Sequence, residues 1–166
     1  MKELSMRHAA AAWVMECTST GTQCHGVIQV PGEEADINPY RAELTGLIAV
    51  QKGLEFIAKR WKVTAAKVAI RVDNKGAGST AYQDRRRISQ MNKHVDLIRK
   101  MRHINSTSAI TVSFEHVYGH QDEDMGFDDL PRPAQLNVIC DWEAKCYLRD
   151  LISSDALAPP WKPEYT

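Results

Sequence analysis

Apolar positions along the chain fall into short runs and longer stripes of helical spacing. Residues 8–17 read as a strand, a run of alanines leading into Trp13-Val14-Met15. Thr18-Ser19-Thr20-Gly21-Thr22 is turn chemistry, and residues 24–30 read as the return strand of a hairpin. After a polar loop, Asn38-Pro39 marks a helix start, with Asn as N-cap and Pro in the first helical position. That helix is predicted to run to about Arg60, with Leu47, Val50, Leu54 and Ile57 as its stripe. The run Val68-Ala69-Ile70-Arg71-Val72 predicts a strand over 67–73. A short helix over about 76–82 and a longer one over about 88–103 follow. Residues 110–118 read as a strand, 119–134 as a long acidic loop and about 135–153 as the last helix. The order ββαβααβα implies an α/β fold, a mixed sheet with helices packed on it. One domain over 1–153 is expected, followed by a Pro-rich tail over 154–166 in which Pro159, Pro160 and Pro163 bar regular helix.

Composition narrows the function classes. With 43% hydrophobic and 25% charged residues in 166, the chain is neither disordered nor fibrous in type. Basic and acidic residues number 21 each, which excludes a uniformly basic nucleic-acid coat but leaves a local patch open. No stretch approaches the ~18 apolar residues of a membrane span. Met1 to His8 lacks the apolar core of a signal peptide. The expectation is a soluble intracellular protein with no membrane partner, cytoplasmic or nuclear. Cys17, Cys24, Cys140 and Cys146 form no CxxC pair, which argues against structural zinc. Cys17 and Cys24 flank the hairpin turn, either facing each other across it or as two separate reduced thiols.

Three carboxylates interrupt apolar surfaces. One turn before Leu47, the stripe of the first long helix lands on Glu43. In the last helix Asp141 lies within the stripe of Val138, Ala144, Leu148 and Leu151. Asp73 ends an apolar strand, at the edge where open α/β sheets place their sites. A core-facing acid is expensive unless paired or bound. Each alone could meet a local Lys or Arg, but three together repel unless a cation sits among them. Oxygen-only donors suit Mg²⁺ or Mn²⁺, and two such ions about 4 Å apart clamp the attacking and leaving oxygens of a phosphodiester displacement. Gly119-His120 follows a strand end, where a histidine can shuttle a proton or be an ordinary surface residue.

Tyr40-Arg41-Ala42-Glu43-Leu44, Val72-Asp73-Asn74, Val117-Tyr118-Gly119-His120 and Asn137-Val138-Ile139-Cys140-Asp141 occur in this order. They resemble the successive motifs of type 1 ribonuclease H, most of all the ribonuclease H domain of retroelement reverse transcriptases. The resemblance spans about Ala9 to Leu151. It implies a five-stranded mixed sheet flanked by helices, and cleavage of the RNA strand of an RNA–DNA hybrid with two divalent ions. It implies Glu43, Asp73 and Asp141 as metal ligands, His120 as the loop histidine aiding product release or proton transfer, and Asn137 near the scissile phosphate. No small-molecule cofactor is expected, and a reverse-transcriptase polymerase domain is a candidate partner.

Two departures qualify the resemblance. The family carries a fourth carboxylate, an aspartate on a central first strand upstream of the hairpin. Here Glu3 is the only acid in that stretch. Such a sheet would have a gap with unpaired backbone groups on both flanks. A fragment of a longer polyprotein is the favoured explanation; imperfect filling by the N-terminal residues and a strand donated by a partner are the others. The second departure is the loop over 121–136, with Asp122, Glu123, Asp124, Asp128 and Asp129 against Arg132, which either gates the site or is a solvated insertion.

Nucleic-acid contact has its own signal. Residues 81–104 hold Arg85, Arg86, Arg87, Lys93, Arg99, Lys100 and Arg102 against Asp84 and Asp96. That excess suits phosphate binding, and equally a solvated helix face. Asn74 and Lys75 beside Asp73, and Asn38 and Arg41 at a helix N-terminus, are further candidate phosphate contacts. The alternative to a nuclease is a truncated or decayed module, catalytically inactive, that binds nucleic acid or packs in a larger polyprotein.

Overall fold

The structure, a computed structural model, describes residues 8–83 and 86–154. Glu3, Asp84, Arg85 and the tail beyond Ser154 therefore lie outside the described residues. The chain is mixed α/β. Its elements are β1 (Ala10–Glu16), β2 (Gln23–Gln29), α1 (Pro39–Arg60), β3 (Ala66–Val72), α2 (Lys75–Tyr82), α3 (Val95–Thr107), β4 (Ile110–His116) and α4 (Arg132–Ser153). Among the described residues the strands form two separate sheets rather than one continuous sheet: an antiparallel pair, β1 with β2, and a parallel pair, β3 with β4.

The hairpin pairs Ala10 with Gln29 through Glu16 with Gln23. The Trp13 ring lies over Gly26, its cross-strand partner, where a Cβ would stand only 2.6 Å from the indole. Cys24 sits opposite Met15, and the Cys17 amide bonds the Thr22 carbonyl, so Cys17 and Cys24 are not cross-strand partners; all four cysteines are free thiols. Alternation sends Ala11, Trp13 and Met15 towards α1, where Gly46 and Gly53 leave room for them. Glu16 lies against α4 through Arg132, at 2.6 Å.

α1 forms as the sequence predicts. Asn38 accepts the Arg41 amide at 2.9 Å and Pro39 starts the helix. Leu44, Leu47, Ile48, Val50 and Leu54 bury into the main core with Ile70 and Val72 of β3 and Leu97, Ile98, Met101 and Ile104 of α3. α2 crosses β4 so closely that a Cβ on Gly78 would overlap the Phe114 ring.

Two helix starts differ from expectation. α3 begins at Val95, not near Ile88, because side chains take the amides that an earlier start would use: Ser89 accepts from Met91 and Asn92 from His94. α4 begins at Arg132, three residues early, because Pro133 in its first turn forfeits no helical bond. The acidic loop over 119–134 contains two short 3-10 turns, Gln121–Glu123 and Phe127–Asp129. Its one base, Arg132, is bound to Glu16 and does not neutralise the loop acids.

Candidate active site

Three elements bring their acids together. Glu43 lies in the second turn of α1, Asp73 follows the last residue of β3, and Asp141 lies mid-way along α4. All three are half-buried. Burial, then the charges of Asp73 and Asp141, push the Glu43 carboxyl up to about 7. Burial and the Asp73 charge also raise Asp141, against smaller opposing effects of Lys145 and His120. Glu43 and Asp141 are therefore each destabilised, when ionised, by burial and by the Asp73 charge.

The backbone around Asp73 is held on two sides. The His116 ring nitrogen donates to the Asp73 carbonyl at 2.9 Å. Gly119 presses against the Asp73 side chain, and a Cβ there would stand 2.9 Å from Oδ2. The sequence marks Gly119 as a freely turning loop residue; what the structure requires of it is the absence of a side chain. His120 follows in the left-handed region (φ 56°) with its side chain largely exposed, 3.5 Å from Glu123.

The other candidates are placed less uniformly. Asn74 caps α2, accepting the Ala77 amide at 3.0 Å, and Lys75 is exposed beside it. Asn137 is half-buried one turn before Asp141 on α4. Arg86 and Arg87 are exposed, with the Arg86 carbonyl accepting from Arg102 at 2.7 Å. Arg41 is turned inward. Only 1% of its side chain is exposed, and its guanidinium bonds both oxygens of Asp96 (3.1 and 2.6 Å) and the Pro31 carbonyl (2.5 Å). It ties α1 to α3 and to the loop after β2 and presents nothing to a phosphate. Asp96, one of the two acids that offset the basic stretch, is consumed in the same pair.

Two residues not singled out in the sequence belong to this site. Lys145 stands one turn after Asp141 and partly offsets its charge, a relation readable from the i, i+4 spacing. Cys140 is pushed up to about 12 by burial, then by Glu143, Asp141 and Glu43, so it is a neutral thiol packed beside the acids. No sequence signal sets it apart from Cys146.

The donor chemistry of the acids suits a hard divalent cation, and their mutual repulsion is what such an ion would relieve. Among the described residues, no three His, Cys, Asp or Glu side chains are drawn into ligating separation as they stand. Also among the described residues, no helix is long and apolar enough to cross a membrane. The chain matches no protein-family model and no curated protein.

Proposed function

We propose that the chain is a divalent-cation-dependent endonuclease of the ribonuclease H kind, hydrolysing the RNA strand of RNA–DNA hybrids. One observation carries this reading: Glu43 of α1 and Asp141 of α4 both have raised pKa values, in part through the charge of Asp73 at the end of β3, beside a Gly-His loop that abuts Asp73. Glu43, Asp73 and Asp141 would hold Mg²⁺ or Mn²⁺, two ions in the full reading. The chemistry supplied there is neutralisation of charge on the attacking and leaving oxygens of a phosphodiester. The remaining work falls to the chain's own residues. Gly119 and His116 fix the position of Asp73. His120, exposed at the rim, exchanges a proton with solvent or with departing product. Lys75, Arg86 and Arg87 offer charge to the hybrid backbone, and Asn74 and Asn137 flank two of the acids. Polar groups near the acids suit recognition of RNA 2′-hydroxyls.

A second reading has its own support. Among the described residues three carboxylates gather here, and β3, which delivers Asp73, is bonded to a neighbour on one side alone. A hybrid-binding module without catalysis, within a larger reverse-transcriptase polyprotein, is consistent with that. Cleavage of a labelled hybrid in Mg²⁺ and in Mn²⁺ decides between them. The nuclease reading expects RNA-strand products that Asp73→Asn abolishes. Hybrid binding without products from the folded chain would favour the second reading, and neither binding nor cleavage would overturn both.

A further inference from the structure

A cleft opens where α1 and α3 end, beside the starts of β3 and β4. It encloses about 550 Å³, within the ordinary range of small-molecule sites. Helical spacing builds its two walls. Lys52, Glu55, Lys59 and Lys62 form one stripe along α1 and the turn after it. Lys100, His103, Ile104 and Thr107 form the stripe on α3. Ala58, Val63 and the buried Ile104 make part of the lining apolar. The candidate active site is elsewhere. Glu43 precedes Lys59 on the same helix by about 24 Å at 1.5 Å per residue. β3 starts beside the cleft and reaches Asp73 only at its other end.

The cleft is cationic in a chain whose basic and acidic residues balance. Helix C-termini attract cations, so part of this charge serves α1 and α3 themselves. About half a negative unit at each C-terminus, together with Glu55, offsets about two charges in all. Lys52, Lys59 and Lys62 alone outweigh that. All three are exposed and, among the described residues, make no ion pair. Lys62 carries a further mark. Its backbone lies in the left-handed region (φ 56°), where it ends α1 with the Val63 amide on the Ala58 carbonyl (2.8 Å). Glycine takes that conformation without strain and lysine does not, so the fold keeps a cation here at a cost to the backbone.

We propose that this cleft binds a small organic molecule of nucleotide size that carries a row of phosphates. Lysine is a compact point charge that holds phosphate oxygens without fixing one orientation. Lys52 to Lys62 spread over about 15 Å along the helix, which suits consecutive phosphates better than a single one. The organic body lies against Ala58, Val63 and Ile104. Grooves that track a nucleic-acid strand add aromatic platforms for its bases; among the described residues this lining has no Phe, Tyr or Trp. Affinity therefore follows the number of phosphates and is indifferent to the base. None of these residues belongs to the candidate active site, so the inference stands apart from the nuclease reading.

The test uses the full chain in EDTA, which keeps divalent ions away from the candidate active site. Calorimetric titration should show one saturable site for ATP and for GTP, equal in affinity, with AMP weaker by roughly tenfold or more. Amide shifts in NMR on adding ATP should centre on residues 58–64 and 103–109. Lys59→Glu combined with Lys62→Glu should weaken ATP by roughly tenfold or more, and the milder Lys52→Gln by about threefold. Lys67→Glu combined with Arg149→Glu, the same charge change away from the cleft, should leave affinity within about twofold. No saturable binding to the folded chain would overturn the proposal. So would equal losses in the two double variants, which would reduce the attraction to net charge, or shifts centred on Glu43 and Asp73. A single-stranded oligonucleotide that shifts the same amides and binds more tightly than ATP would also overturn it and assign the cleft to nucleic acid.

Discussion

Glu43→Gln isolates the electrostatic tension of the candidate site. In the folded chain the Glu43 carboxyl titrates at about 7 instead of the ordinary 4.5, driven first by burial and then by Asp73 and Asp141. A raised acid pKa means that the folded state holds the proton more tightly than the unfolded state. Stability from this group is therefore complete below about pH 4.5 and is lost as pH rises through about 7. At about 1.4 kcal/mol per pH unit, the displacement is worth roughly 3 kcal/mol, a large share of a small domain's 5–15 kcal/mol. Glutamine keeps the shape and removes the titration. Urea unfolding in EDTA, from pH 4.5 to 8, should show wild type losing stability relative to the variant, so that the gap between them widens by about 2–3 kcal/mol. The lowered pKa values of Glu16 and Asp96 act at more acidic pH and are common to both proteins. Adding Mg²⁺ at pH 8 should narrow the gap by stabilising wild type alone. Parallel curves across the whole range would refute the argument that these acids strain one another.

Two further outcomes follow from the same geometry. Gly119→Ala places a Cβ 2.9 Å from Asp73 Oδ2 at a backbone conformation that alanine adopts freely. Hybrid cleavage should fall by about tenfold or more, from a misplacement on the ångström scale, while unfolding stability changes by no more than about 1 kcal/mol; unchanged turnover in an active protein would show that Asp73 tolerates the shift. Arg41→Leu strands Asp96, whose side chain is 24% exposed. A loss of about 3 kcal/mol in urea unfolding is expected, the lower end for a broken buried pair because Asp96 keeps some solvent, and a change below about 1 kcal/mol would place the pair among ordinary surface contacts.

Much of the architecture is legible because it is local. The Asn38-Pro39 start of α1, the hairpin, β3 and β4 each announce themselves within a dozen residues. So do the acids, since a carboxylate inside an apolar stripe is conspicuous whatever the fold. Arg41 shows where local reading stops. At the N-terminus of a helix it looks like an anion contact, but its partner Asp96 lies 55 positions away and its carbonyl acceptor belongs to Pro31. The nearest hint is Gly32, where a Cβ would sit 2.7 Å from the Arg41 Nε. Segment 88–94 misleads differently: its apolar Ile88 and Met91 suit a helix, but Ser89 and Asn92 spend their side chains on nearby amides. The division of the strands into two pairs is a matter of long-range partnership, which periodicity does not report.

Among the described residues no backbone ladder joins the two sheets, so the coupling between them seen there runs through side chains. The path of greatest contact is α1, with Gly46 and Gly53 against the hairpin and Leu44, Leu47 and Leu54 against the β3–β4 half. The hairpin with α4 and the parallel pair with α2 and α3 are thus candidates for separate opening units, each able to exchange its amides while the other remains closed. Asp141 belongs to the first unit and Asp73 to the second, with Glu43 on the helix they share. Fluctuation between the units would therefore register first as a change in the spacing of the acids, well before either half unfolds.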